Sequence, residues 1–327
     1  MAETTSTTSV APAPAVVKPG TGALVAAGRP RRRYSLLTRH DKLLLTLMVG
    51  IPLLLDLILI WGPAAASVGF SFTNWSGIGA ISPGNFIGVK NYQNLFTSYI
   101  FFWPALRHNL IWLAFLSLVS TPLGMFLAVL LDREIRGTRV YQSVLFLPVV
   151  LSLAVVGFIW ELQYAPSEGF INNAFGLVES HRIIDWLGDE NINLYAVLIA
   201  ASWRHVGYIM VLYLAGLKSV DPSLREAAKV DGANERQTFF SVVLPVMAPI
   251  NIVIVVVTAI ESLRAFDIVY IINRGKNGLE LLSTLITNNS ISEASLVGFG
   301  SAIAVVLLVI SLVPIVTFLS TVSRERA

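Results

Sequence analysis

The sequence predicts an all-α integral membrane protein with six transmembrane helices, and two observations carry that prediction. The first is composition. Hydrophobic residues fill 55% of the 327 positions and charged residues only 13%, with a mean hydropathy of +0.71. A soluble domain carries roughly 25% charged residues, so part of this surface must face lipid. The second is run length. Apolar segments recur at 43–70, 109–131, 141–163, 194–217, 246–272 and 296–320, each long enough to supply the roughly 20 helical residues that cross about 30 Å of hydrocarbon. The chain has no cysteine, which excludes disulfide frameworks, thiol nucleophiles and thiolate metal sites.

Taken in order, residues 1–42 form a tail rich in Ala, Thr, Ser and Pro that turns basic and shows no apolar period. It is expected to be disordered and to touch anionic lipid at most. The run that follows exceeds the 7–15 residues of a signal-peptide core, so it stays as the first span, and the transmembrane domain covers 43–322. Within that span Asp56 follows Pro52 and reads as a kink or inter-helix contact. Trp61, Trp75, Trp103 and Trp186 read as interface anchors. Of the 23 Lys and Arg, 16 fall in the tail, the 2–3 loop, the 4–5 loop and the carboxyl end. The excess of positive charge on cytoplasmic loops then places both termini in the cytoplasm of a multi-pass cell-membrane protein.

The polar insert at 218–245 carries the most information. Asp221 is a good N-cap and Pro222 a good first helical residue. Residues 226–230 (E-A-A-K-V) continue a helix, Gly232 allows a backbone reversal, and Pro245 can open the next segment but not sit unnoticed within it. A helix–turn–helix knob results, basic on one side through Arg225, Lys229 and Arg236. An ordinary solvated loop is the plain alternative. However, Glu226, Ala227, Ala228, Gly232, Leu244 and Pro245 stand at the spacing of the cytoplasmic "EAA" coupling loop of ABC importer permeases, with Val242 where isoleucine is more usual. The chain resembles that family, and specifically its maltose/multiple-sugar type. Residues 86–92 (F-I-G-V-K-N-Y) also resemble the F-x-G-x-x-N-Y segment of sugar-type permeases. Where many of these carry Gly-Gly-Pro after the fifth span, this chain has N-R-G-K-N-G at 273–278, which leaves the delivered solute open.

Ionisable groups at bilayer depth are costly, by about 2.5–3.5 kcal/mol each, and mark candidate sites. The fourth span holds Trp203, Arg204, His205 and Tyr208; the fifth holds Glu261, Arg264 and Asp267. Arg204 precedes Leu217 by 13 residues and Glu261 follows Ala248 by 13, so both lie roughly 20 Å from the inner face at 1.5 Å per residue. Either they line a hydrated cavity, or Glu261 and Arg264 neutralise one another while Arg204 serves assembly. The resemblance favours the cavity: it implies sugar contacts at Ala201, Arg204, His205 and Tyr208 on one helix and at Thr258, Glu261, Ser262, Arg264 and Ala265 on the other, with Trp203 a further aromatic.

The resemblance implies a permease subunit forming half of a translocation path. Its partners would be a second permease, two cytoplasmic ATP-binding subunits that dock on Glu226, Ala227, Ala228, Asp231, Gly232, Leu244 and Pro245, an extracellular or lipid-anchored solute-binding protein, and membrane lipid. A sugar or oligosaccharide is the expected solute. The sequence has no G-x-x-x-x-G-K-[ST] loop, so ATP is expected on partner subunits. No metal, cofactor, enzymatic chemistry or nucleic-acid partner is expected. The rival reading is a secondary transporter driven by an ion gradient through Asp56, Glu261 and Asp267.

Overall fold

The computed structural model describes residues 38–325 apart from 134–135 and 293–294, so most of the predicted tail lies outside the described residues. Among these the chain is almost wholly helical, with one isolated bridge between Thr73 and Phe86. It divides into two units, one ending at Asp56 and one beginning at Leu57. The described part of the first is α1 (Arg39–Asp56). Thr38 caps it: its hydroxyl accepts the Asp41 N–H at 3.1 Å while the Asp41 carboxylate takes the Thr38 N–H at 2.9 Å. This reciprocal pairing satisfies two amide donors that a helix start otherwise leaves open.

The second unit runs through α2 (Gly62–Phe70), α3 (Lys90–Thr97), α4 (Phe102–Phe115), α5 (Thr121–Asp132), α6 (Thr138–Val150), α7 (Leu153–Gln163) and α8 (Phe170–Ala174). It continues with α9 (Asn193–Ser219), α10 (Pro222–Val230), α11 (Glu235–Thr238), α12 (Leu244–Val246), α13 (Ala248–Leu263), α14 (Asp267–Asn273), α15 (Leu282–Thr287) and α16 (Val297–Glu325). Among the described residues four helices are long and apolar enough to cross a membrane: His40–Phe70, Phe102–Asp132, Asn193–Ser219 and Val297–Pro314. Two bent pairs bring the number to six: Thr138–Val150 with Leu153–Gln163 at 100°, and Glu235–Val246 with Ala248–Asn273 at 74°.

The third and fifth apolar runs are thus broken where the sequence suggested single helices. In the third, Pro148 removes an amide donor near the end of α6, and extended Ser152 restarts the chain as the N-cap of α7, its hydroxyl accepting the Val155 N–H at 3.3 Å. In the fifth, Met247 stands between Pro245 and Pro249, and two missing amide donors in five residues cannot sustain a straight ladder. Proline also accounts for three wide π-helical turns, Leu57–Trp61, Leu116–Ser120 and Phe239–Val243. Each ends two residues before a proline (Pro63, Pro122, Pro245). The proline ring collides with the carbonyl four residues back, which here falls in the middle of the turn, and widening the backbone relieves the clash.

α9 forms the centre of the unit, buried from its start at Asn193 and along most of its length to Leu217. It packs closest on α5 and the turn before it, where Ser120, Gly124 and Ala128 recur every fourth residue and are buried. A Cβ on Gly124 would stand 2.9 Å from the Ile209 side chain and 3.0 Å from the Val206 carbonyl. Lipid offers no hydrophobic gain for helix pairing, so close backbone approach through small residues supplies the dispersion contact instead. Residues 86–92 gain a structural role. Asn91 Nδ2 donates to the Ser71 and Thr73 carbonyls, each at 2.8 Å, and the Tyr92 hydroxyl donates to Ser71 Oγ at 2.7 Å. α3 is thereby tied to the end of α2, satisfying carbonyls a helix terminus leaves free.

Candidate functional site

The charged residues of the fourth and fifth runs meet in space. Arg204 on α9 and Glu261 on α13 approach to 3.7 Å, and His205 Nδ1 lies 3.1 Å from the same carboxylate. The equal depth read from helical rise therefore corresponds to contact. His205 is 2% exposed. Its Nε2 stands 3.3 Å from the Thr258 hydroxyl, which is 3.4 Å from that of Thr121. The Glu261 carboxylate accepts from Nδ1, and the Thr258 hydroxyl can serve as either partner to Nε2. Glu261 is paired across helices rather than with Arg264. Among the described residues, exposed Arg264 and Asp267 form no ion pair.

These groups line a cavity of about 230 Å³. Ala201, Arg204 and His205 come from α9, Glu261 from α13, Arg264, Ala265 and Phe266 from the break between α13 and α14, and Asp267 from the start of α14; Trp112 and Leu116 close it. Arg204 Nε is buried with no hydrogen-bond partner among the described residues, so the guanidinium keeps donor capacity. Of the other residues expected on the path, Thr258 and buried Ser262 lie behind the wall, where the Ser262 hydroxyl donates to the Thr258 carbonyl at 2.6 Å. Trp203 instead packs edge-to-face on Trp160 at 5.9 Å. Tyr208 packs, half buried, against a core cluster containing Ala128, Met210 and Ile254. Tyr208 stands four residues after Arg204, a step that by helical periodicity alone puts the two on one face, but the cavity ends within one turn of Arg204.

Asn109 belongs to the same site and was not singled out from the sequence. It is fully buried. Its Oδ1 accepts the Leu282 N–H at 2.9 Å and its Nδ2 reaches the Ser262 carbonyl at 3.5 Å. One side chain so joins α4 to the start of α15 and to the end of α13, while the Ser283 hydroxyl donates to the Ala265 carbonyl. Backbone freed at the α13–α14 break is satisfied, as an interior without water requires. Asn109 opens the apolar run at 109–131, where it looked like a boundary. The helix actually begins at Phe102, which places Asn109 two turns inside.

The 218–245 insert folds as a knob at the end of α9. Asp221 Oδ1 accepts the Ser223 N–H at 2.9 Å, and that bond holds its carboxyl below the usual carboxylate range. α10 ends at Gly232, whose φ is +83°. The Ala233 N–H bonds the Ala228 carbonyl at 2.9 Å and the Gly232 N–H the Lys229 carbonyl at 3.1 Å, a Schellman closure whose left-handed position favours glycine. Asn234 and Gln237 cap α11 reciprocally. The expected basic face is partly spent on anchoring. Arg225 donates to Asp132 at 2.8 Å and to the Leu217 carbonyl at 3.0 Å, clamping α10 to the ends of α5 and α9, while Arg133 pairs with Glu235 at 2.7 Å. Glu226, Ala227, Asp231, Gly232 and Pro245 remain exposed, Leu244 is half buried, and Ala228 is buried. Leu224 is 40% exposed and Val230 88%, and with Ala227 they form one outward apolar stripe.

Residues 120–326 match the family described as "binding-protein-dependent transport system inner membrane component". A probable ABC transporter permease of Pyrococcus horikoshii is 31% identical, over 80% of this chain and 89% of its own length. The xylose/arabinose import permease of Haloferax volcanii is 32% identical over 80% and 83%. The diacetylchitobiose uptake system permease of Streptomyces coelicolor is 32% identical over 88% and 83%. Among solved structures, a bacterial ABC transporter involved in import of the acidic polysaccharide alginate superposes with a TM-score of 0.73 at 21% identity, covering 87% of this chain and 96% of that one.

Proposed function

This chain belongs to the binding-protein-dependent transport system inner membrane components, and on that premise we propose that it forms half of the path of an ATP-driven carbohydrate importer. A second permease completes the path, two ATP-binding subunits dock on the 218–245 knob, and an extracytoplasmic binding protein delivers the solute. The knob is the observation that carries this reading. A rigid, capped helix–turn–helix clamped to α5 and α9 through Arg225 presents Leu224, Ala227 and Val230 to solvent. Apolar surface rimmed by charge marks an interaction site, and Glu226 beside it offers an anion to a basic partner. Sugar import by relatives from two organisms supports the solute class.

Alternating access follows from this arrangement. Closure of the ATPase dimer moves the knob, and the Asp132 and Leu217 contacts of Arg225 pass the motion to α5 and α9. The cavity at Arg204 and Glu261 then opens to one side or the other. No covalent step is assigned to this chain, and no cofactor beyond the ATP of its partners. The experiment is uptake into proteoliposomes holding the complete complex and its binding protein. Uptake is expected to require ATP on the knob side and to survive collapse of ion gradients. Uptake that persists without ATP and follows a proton or sodium gradient overturns the reading in favour of a secondary transporter.

Orientation is tested separately, since the native chain has no cysteine. With the knob and both termini cytoplasmic, a cysteine at Ser82 is expected to react with an impermeant thiol reagent in intact cells. One at exposed Ser223 on α10 is expected to react only after lysis. The reverse pattern overturns the topology.

A further inference from the structure

A second cavity lies at the opposite end of α9 from the knob, a helix of 27 residues and hence about 40 Å long. Its volume is about 790 Å³, within the roughly 300–1,000 Å³ of small-molecule sites. Its walls come from the start of α4 and the turn before it, the connection from α14 to α15, the end of α15, and the residues leading into α9. None of its lining residues belongs to the cavity at Arg204 and Glu261.

Its most informative residue is Glu280. The residue is only 9% exposed, yet among the described residues its carboxylate makes no hydrogen bond or ion pair. Glu280 lines the cavity, so a carboxylate without a protein partner takes its hydrogen bonds from whatever occupies that space. Its surroundings supply acceptors and ring faces. His108 Nδ1 lies 2.9 Å from the Glu280 backbone carbonyl, which can only accept, so Nδ1 donates and turns Nε2 away from that contact. Glu190 adds a second carboxylate, and Lys276 adds a cation. Tyr99 and Phe101 contribute aromatic rings 5.7 Å apart. The Tyr99 hydroxyl accepts from Asn289 Nδ2 at 2.8 Å. Burial raises its phenol, and the nearby Glu280 charge adds to that rise against the Asn289 bond.

We propose that this cavity is a saccharide-binding site for a neutral or amino-bearing sugar, with Glu280 accepting hydroxyl or ammonium hydrogens and Tyr99 and Phe101 covering a ring face. Acceptors dominate its polar lining, so it suits a ligand rich in O–H and N–H donors and repels a uronate. The assignment rests on the carbohydrate reading above. It places a second contact ahead of the Arg204 cavity, the two being joined through consecutive residues: His108 lines the one, and Asn109 bonds the Ser262 carbonyl behind the other.

The test is saturation-transfer NMR on the complete complex in nanodiscs, without binding protein, using maltotriose, the fully deacetylated chitosan trisaccharide and trigalacturonate. Maltotriose and the cationic trisaccharide are expected to bind and trigalacturonate not to. Glu280→Gln keeps the shape and removes the charge; it is expected to weaken the cationic ligand about tenfold, the scale of one charge-assisted hydrogen bond. Phe101→Leu, at an exposed position, is expected to weaken both ligands several-fold through the lost ring face, and it gives a second reading should Glu280→Gln assemble poorly. Equal binding by wild type and both variants, or preference for trigalacturonate, overturns the site. Loss of binding-protein-stimulated ATP hydrolysis in Glu280→Gln with saccharide binding unchanged makes Glu280 a docking contact and overturns it too. ATP-driven uptake by a wild-type complex that binds none of the three overturns this site and leaves the transport reading standing.

Discussion

Replacing Glu261 by leucine is expected to cut the yield of assembled complex sharply and to lower its thermal midpoint in detergent. Arg204 and His205 both face this carboxylate, at 3.7 and 3.1 Å, and leucine leaves the guanidinium without a counter-charge at membrane depth. Removing one partner of a buried pair costs about 3–5 kcal/mol. The Glu261 side chain is 35% exposed, so water in the cavity offsets part of this, and about 2–3 kcal/mol remains. Glu261→Gln keeps an acceptor for His205 and is expected to assemble far better while transporting poorly. Exchanging the charges, Arg204→Glu with Glu261→Arg, separates the two roles: assembly recovers and uptake does not if the cavity receives solute. Recovery of both assigns the pair to holding α9 against α13. A Glu261→Leu complex as abundant and stable as wild type means that cavity water alone solvates Arg204.

Gly232→Val is expected to insert and assemble normally but to lose about five- to thirtyfold in ATP-driven uptake, the scale set by a left-handed backbone cost of about 1–2 kcal/mol. The cause is conformation rather than space. A Cβ at Gly232 meets no atom within 4 Å, but φ is +83°, which a β-branched residue resists strongly. The Schellman closure opens, and α10 turns relative to α11 just where Ala227 and Val230 are presented. Asparagine tolerates left-handed backbone, so Gly232→Asn is expected to retain much of the activity. Equal loss in both variants shifts the explanation to direct contact at residue 232. Normal uptake with valine removes the turn from the coupling step.

Much of this was legible before any coordinates. Composition and run length determined a helical membrane protein, because bilayer thickness and the need to satisfy backbone groups in lipid leave few alternatives. The knob was equally readable: an Asp-Pro start, a glycine stop and a proline exit are local chemistry, and local chemistry does not depend on distant residues. Opposed charges on neighbouring helices were placed at one height, since helical rise converts residue number directly into height, but which of them pair was left open.

Rotation about each helix axis was decided only by packing. A four-residue step grouped Tyr208 with Arg204, but the tight seam of α9 against Gly124 and Ala128 draws Tyr208 to the core cluster and leaves the cavity to Ala201, Arg204 and His205. The partner of Glu261 was settled the same way. Arg264 lies three residues away along the chain, but the break after α13 leaves it exposed while His205 is pressed against the carboxylate. The bends at Ser152 and Met247 and the buried bridge at Asn109 depend on where helices begin and on which carbonyls they leave open. Composition carries neither quantity. Sequence determined which groups this membrane domain places at which height; tertiary packing decided which way each one faces, because a helix fixes rise and periodicity but leaves its rotation to the neighbours it touches.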